Sequence, residues 1–256
     1  MQRLLPKKNL GLIFLIGLVL SLISPSNFAA YPDKPMQSIS PFAAGGANDY
    51  LTRLMATQMG SILNTNIIVD NKTGANGIVG ANYVAKSSPD GYIMLMGNSA
   101  THGTNSSLYR NLPYDPVKDF SAVSMVGYVP IVIAIDPKLD IKSIPELIAF
   151  GKANPGKLAF GSSGIGGTGH LAGESFAAAT QLDITHIPYK GDAPAVTDVA
   201  GGQVPLAFVG AASAAPLLAS GKINILAVAH PIRVGSMPNI PTLTAVSYTH
   251  LTLPTK

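Results

Sequence analysis

Two glycine-rich turns hold the residues best suited to chemistry in this chain. The first reads Pro41-Phe42-Ala43-Ala44-Gly45-Gly46-Ala47-Asn48-Asp49, and the second Gly161-Ser162-Ser163-Gly164-Ile165-Gly166-Gly167-Thr168-Gly169-His170. Each follows a short β-type apolar run, over 36–40 and 158–160, and each leads into a helix-type stretch. A strand, a glycine turn and a helix N-terminus leave backbone N–H groups free and aimed at one point, which suits an anion. Two such turns in separate α/β units predict a cleft that grips an anion from both sides.

Nucleotide chemistry fits the turns poorly. The first lacks the Gly-Lys-Ser/Thr ending of a phosphate loop. The second contains Gly164-x-Gly166-x-x-Gly169, but Asp183, at the spacing of the ribose-binding acid, precedes the next strand instead of ending it. No Gly-x-Ser-x-Gly surrounds Ser162 or Ser163, so a hydrolase nucleophile elbow is absent. His170 opens a helix beside the second turn without a visible nucleophile, and His102, His186 and His230 have no metal-ligand spacing. Neither a cofactor nor a metal is expected.

Composition narrows the setting. The 256 residues are 47% apolar and 12% charged, ample material for a core or for two α/β lobes. The net charge of +4 overstates basicity: Arg3, Lys7 and Lys8 precede residue 30, where no acid occurs, and without them 14 basic residues face 13 acidic ones. No basic field remains for nucleic acid. The basic start, the apolar run over 10–23 and the small residues ending at Ala30 read as a signal peptide over 1–30. The absence of cysteine excludes disulfides, thiol catalysis and a lipidated cysteine, and in an exported protein fits a bacterial periplasm.

Beyond residue 30 the pattern alternates between strand and helix. Strands are expected over 36–40, 66–70, 92–96, 121–126, 130–135, 158–160, 184–187, 204–209 and 223–229. Helices are expected over 47–62, 77–86, from the Ser143-Ile144-Pro145-Glu146 capping box to 153, and over 169–180, 193–200 and 212–220. This order predicts parallel sheets covered by helices. The run over 121–135 is the expected passage between two lobes, with a return near 227–230, and a cleft between such lobes is a natural ligand site. Asn98-Ser99-Ala100-Thr101 lies at the C-terminal end of a strand, where α/β sheets bind ligands.

At this level the chain resembles the periplasmic solute receptors of tripartite tricarboxylate transporters, the Bug or TctC-like proteins. The resemblance rests on Pro41-Phe42-x-x-Gly45-Gly46-x-x-Asp49, Gly74-Ala75-Asn76-Gly77, Asp90-Gly91-Tyr92 and Leu112-Pro113-Tyr114-Asp115-Pro116. It continues through Ser162-Ser163-Gly164 to His170-Leu171-Ala172-Gly173-Glu174, then Tyr189-Lys190-Gly191, Gly201-Gly202-Gln203-Val204 and Pro238-Asn239-Ile240-Pro241-Thr242-Leu243. It implies an α/β, two-lobed Venus-flytrap fold of the periplasmic binding protein type, with parallel-rich sheets flanked by helices. Lobe 1 would comprise 31–127 with a return segment 228–245, and lobe 2 would comprise 128–227. The implied function is that of a receptor without catalysis in a Gram-negative periplasm. It would be a monomer that binds a di- or tricarboxylate, an amino acid or an aromatic acid between the lobes and delivers it to membrane transporter subunits. The residues implied at the ligand are Phe42, Gly45, Gly46, Asp49, Ser99 and Thr101 from lobe 1, and Ser163, Gly164, Thr168 and His170 from lobe 2.

The chain departs from the family pattern at Pro205, where an aspartate is usual, and around Val209-Gly210-Ala211, where acids are common. Its end, 246–256, resembles translated adapter sequence and is expected to be non-native, with the C-terminal part of lobe 1 missing. Two other readings stay open at this stage: an α/β enzyme using His170 with Ser163 or Asp49, and a sensor that signals to a membrane kinase.

Overall fold

The computed structural model describes residues 31–246, and from Lys34 onward they form one compact unit. The signal-like segment 1–30 and the tail from residue 247 lie outside the described residues. Two sheets organise the rest. Strands β1 (Met36–Ser40), β2 (Ile67–Asn71) and β3 (Ile93–Leu95) form a parallel three-stranded sheet in the order β2-β1-β3. Strands β4 (Ile131–Ile135), β5 (Leu158–Ser162), β6 (Ile184–Pro188), β7 (Leu206–Gly210) and β8 (Asn224–Ala229) form a second sheet in the order β6-β5-β7-β4-β8.

The helices follow the apolar periodicity. They are α1 (Ala47–Leu63), α2 (Ile78–Ala85), α3 (Asn105–Leu108), α4 (Ile144–Ala153), α5 (Thr168–Thr180), α6 (Asp192–Ala200) and α7 (Ala211–Ala219). The capping box at α4 forms: Ser143 Oγ accepts from the Glu146 N–H at 3.3 Å. The Glu146 carboxylate reaches back one residue further than the motif requires and accepts from the Lys142 N–H at 2.8 Å. Helix α5 lies flush on its sheet because Gly169 and Gly173, one turn apart, carry no side chain. A Cβ at Gly169 would run into the Phe208 carbonyl, and one at Gly173 into the Phe160 ring.

Two expectations are corrected. The sheets are not uniformly parallel, because β4 runs antiparallel to both β7 and β8. Its wholly buried sequence, Ile-Val-Ile-Ala-Ile, would suit either direction, since both of its faces are covered. The strand expected over 121–126 has no pairing partner among the described residues. That backbone is irregular and leaves Val123 and Met125 exposed. Val228 pairs with Thr242, and Leu243 is buried in the core of the five-stranded sheet.

The two sheets differ in how deeply they are covered. Phe160, Phe176, Leu147, Ile133 and Leu206 fill one side of the larger sheet. Val132, Val196, Val199, Val209 and Ile223 fill the other. Around the smaller sheet the buried clusters are smaller, Met36, Ala56 and Ile67 in one and Ile78, Ala81 and Tyr114 in another, with Ile39 buried in its central strand. Opening free energy follows buried apolar contact. Native-state hydrogen exchange should therefore find the amides of β4, β5 and β7 protected at least about tenfold more than those of β2 and β3. Equal protection in both sheets would contradict this packing argument.

Candidate functional site

The C-terminal ends of β1, β5 and β7 deliver the glycine turns and helix N-termini to a common seam between the sheets. On one side the first turn meets the starts of α6 and α7. The Ala43 N–H donates to the Lys190 carbonyl at 3.0 Å, and the Ala47 N–H donates to Ser213 Oγ at 2.8 Å. The approach is close because the backbone is bare. A Cβ at Gly191 would lie 3.0 Å from Ala43 N, and one at Gly46 would lie 3.9 Å from both Asp192 N and Ala193 N.

On the other side the second turn meets the loops after β2 and β3. Ser99 Oγ and Thr168 Oγ1 share a hydrogen bond of 2.8 Å, and Thr104 Oγ1 donates to the Gly166 carbonyl at 2.8 Å. Asn76 covers the bare faces of Gly164 and Gly167, whose Cβ positions would lie 3.4 Å from its Oδ1.

The first turn is stiffened from below. Gly45 takes φ +79°, open to glycine at little cost. Its N–H donates to Asp49 Oδ2 at 2.9 Å. The Asp49 carboxylate is buried, pairs with Arg53 at 3.0 Å and accepts from Asn71 Nδ2 at 2.9 Å. Burial by itself would raise the Asp49 pKa, yet hydrogen bonds from Arg53, the Gly45 N–H and Asn71 bring it below the usual carboxylate range. Asp49 is therefore spent on the turn, and it positions Gly45 rather than facing the seam.

Thr101 is similar. It is 1% exposed, and its hydroxyl accepts from the Asn98 N–H at 2.9 Å within its own loop. Phe42 is buried against Gly77, and its carbonyl accepts from Asn71 Nδ2 at 3.0 Å.

His170 serves the second turn. Its Nδ1 accepts from the Gly166 N–H at 3.0 Å, and its ring stacks on His186 with centroids 4.1 Å apart. Ser162 Oγ bonds His186 Nε2 at 2.7 Å. Burial and the neighbouring His170 push the His186 pKa down to about 4. Ser163 hydrogen-bonds Asp192, which also accepts from the Gly210 N–H at 3.1 Å. Burial pushes the Asp192 pKa up to about 6 against these two hydrogen bonds. Tyr189 turns its hydroxyl to Asp198 at 2.7 Å.

Of the expected site residues, the seam gathers Gly46, Ser99, Ser163, Gly164 and Thr168. Phe42, Gly45, Asp49, Thr101 and His170 sit behind it and hold its loops. The N–H groups divide unevenly between the turns. Those of Ala43, Gly45 and Ala47 have protein partners. The first three of α5, at Thr168, Gly169 and His170, have no intrahelical acceptor by helix geometry. Asn76, Asp192 and Ser213 were not expected at the site. Asn76 and Asp192 belong to glycine-bearing motifs already recognised, and Ser213 gave no local signal.

Asp192 and His186 pull stability in opposite directions with pH. The raised Asp192 pKa makes the fold bind more protons than the unfolded chain, so its contribution falls as pH rises from about 4 to about 6. The depressed His186 pKa makes its contribution rise between about 4 and about 6.5. Asp192→Asn, which keeps an acceptor for Gly210, should melt at steadily higher temperature from pH 4 to 6.5. His186→Gln should show the reverse slope, each change amounting to roughly 1–3 kcal/mol. Parallel pH profiles for the two variants would rule out this assignment.

The chain is similar to known proteins in sequence and fold. The family described as tripartite tricarboxylate transporter family receptor matches residues 51–255. Protein BugT of Bordetella pertussis is 36% identical over 241 residues, covering 93% of this chain and 74% of BugT. An R. palustris protein solved with adipate aligns with a TM-score of 0.82 at 36% identity, covering 84% of this chain and 72% of that one. MatC of Rhodopseudomonas palustris, solved with bound malate, aligns with a TM-score of 0.81 at 26% identity, covering 87% and 76%. The family description is that of a receptor and not of an enzyme, so the catalytic reading of His170 with Ser163 or Asp49 is set aside. With its two helix-flanked, parallel-rich sheets and their glycine turns, the chain belongs to the tripartite tricarboxylate transporter receptor (TctC, Bug) family.

Proposed function

We propose that this protein is a periplasmic solute receptor that binds a small carboxylate at the seam and delivers it to a tripartite tricarboxylate-type membrane transporter. The observation that carries the reading is the N-terminus of α5. Gly167 caps it without a side chain, and its first N–H groups open beside Ser99, Thr168 and Asn76. A partly buried helix N-terminus stabilises an anion by up to about 2 kcal/mol. The adipate and malate of the two solved relatives are carboxylates of the size such a seat would take.

In this reading the three-stranded sheet belongs to one lobe and the five-stranded sheet to the other. The irregular run before β4 is the hinge. Separating the lobes would break the Ala43–Lys190, Ala47–Ser213 and Ser99–Thr168 bonds, and closing them on a ligand would restore them. The first turn then acts as the opposing wall, offering close bare backbone while the Ala43, Gly45 and Ala47 N–H groups stay with their protein partners.

Thermal-shift titration should show the melting temperature rising with at least one small di- or tricarboxylate, amino acid or aromatic acid. A flat response to all of them would overturn the reading. Gly46→Val should wedge the first turn away from residues 192 and 193 and weaken that ligand by about tenfold or more, with the far-ultraviolet dichroism unchanged. Undiminished affinity in this variant would remove the first turn from the site.

A further inference from the structure

One buried polar atom at the seam has no partner. Asn76 lies in the Gly74–Gly77 loop with φ +52° and is only 8% exposed. Its Nδ2 donates to Asn105 Oδ1 at 3.0 Å, and Asn105 Nδ2 donates back to the Asn76 carbonyl at 3.1 Å. Asn105 is fully buried and also bonds the Tyr114 hydroxyl. This reciprocal pair settles which way each amide points. Rotating the Asn76 amide would set two carbonyl oxygens against each other, and rotating Asn105 would set two NH₂ groups against each other and its oxygen against the Asn76 carbonyl. The Asn76 Oδ1 is therefore the atom that faces the second glycine turn, and it accepts no hydrogen bond from the described residues.

A buried amide oxygen is costly without a donor. Neighbouring groups offer none: the Gly167 N–H donates to the Gly164 carbonyl, and the Gly164 N–H to Ser162 Oγ. An ionised carboxylate has only acceptors and would be repelled here. Yet Oδ1 lies 3.4 Å from the Cβ position of Gly167, the N-cap of the helix that offers the anion seat. Donor and carboxylate must therefore be neighbours on one ligand.

We propose that Asn76 determines specificity within the carboxylate site, its Oδ1 accepting a hydrogen bond from a hydroxyl or ammonium group on the carbon next to the bound carboxylate. The ligand class is then a 2-hydroxy or 2-amino acid in preference to a plain dicarboxylate. This inference rests on the carboxylate-receptor reading above and narrows it.

Calorimetric titration of the full chain with succinate, malate and L-aspartate tests it, since the three share a four-carbon dicarboxylate skeleton and differ in the group on the second carbon. Malate or aspartate should bind at least about tenfold more tightly than succinate, and whichever leads identifies the donor as hydroxyl or ammonium. Asn76→Gly suits the left-handed backbone and removes the Oδ1 acceptor, so it should shrink the ratio between the preferred ligand and succinate to within about twofold, whatever it does to the affinity common to all three. Succinate binding within about twofold of the other two, or a variant that keeps the preference, overturns the assignment of Asn76 while the carboxylate reading stands. Binding of adipate with none of the three also overturns it. If no carboxylate of any length binds, both readings fall together.

Discussion

Everything at the seam depends on the close approach of bare backbone. The first turn reaches the starts of α6 and α7 this closely because Gly191 and Gly210 present no side chain toward it. A Cβ on Gly210 would lie 3.2 Å from that of Ala47 and 3.0 Å from the Asp192 carboxylate. The second turn admits Asn76 for the same reason. Backbone groups are short, rigid donors, so a site built from them recognises an anion by geometry and dipole instead of by a full positive charge. Such a site remains compatible with a nearly neutral protein.

The bare backbone in turn needs support from behind. Asp49, Arg53 and Asn71 form a polar clamp under the first turn, and His170, His186 and Ser162 do the same under the second. These groups hold loops that would otherwise lose their shape, because glycine restricts the chain least of all residues. The clamps differ in charge. Asp49 is held ionised by an arginine, whereas His186 is kept neutral by burial beside a second imidazole. The apolar clusters around the three-stranded sheet are smaller than those around the five-stranded one, so the Asp49 clamp carries a larger share of the local order than its counterpart does.

Much of this was legible along the chain. The glycine turns, the strand at 36–40 and the helix starting from Ser143 each announce themselves through neighbours within four residues. The run over 121–126 looked equally strand-like from its β-branched and apolar residues, but a strand exists only where a partner supplies hydrogen bonds, and none of the described residues does. Strand β4 was recognised while its direction was not, since a fully buried apolar run carries no mark of polarity. The motif residues Asp49, Thr101 and His170 were expected at the ligand because the family resemblance implies them there. Their side chains fold back onto the loops that carry them.

The sequence by itself determined the elements, the two glycine turns and the family pattern, because each is set by local periodicity, capping and the lack of a Cβ. Only the tertiary structure decided which polar groups those turns consume and which they leave open. The Ala47 N–H is taken by Ser213, 166 residues away, and the Asn76 amide is oriented by Asn105, 29 residues away. A hydrogen bond is satisfied by whatever the fold brings within about 3 Å, and no local signal in the chain encodes that meeting.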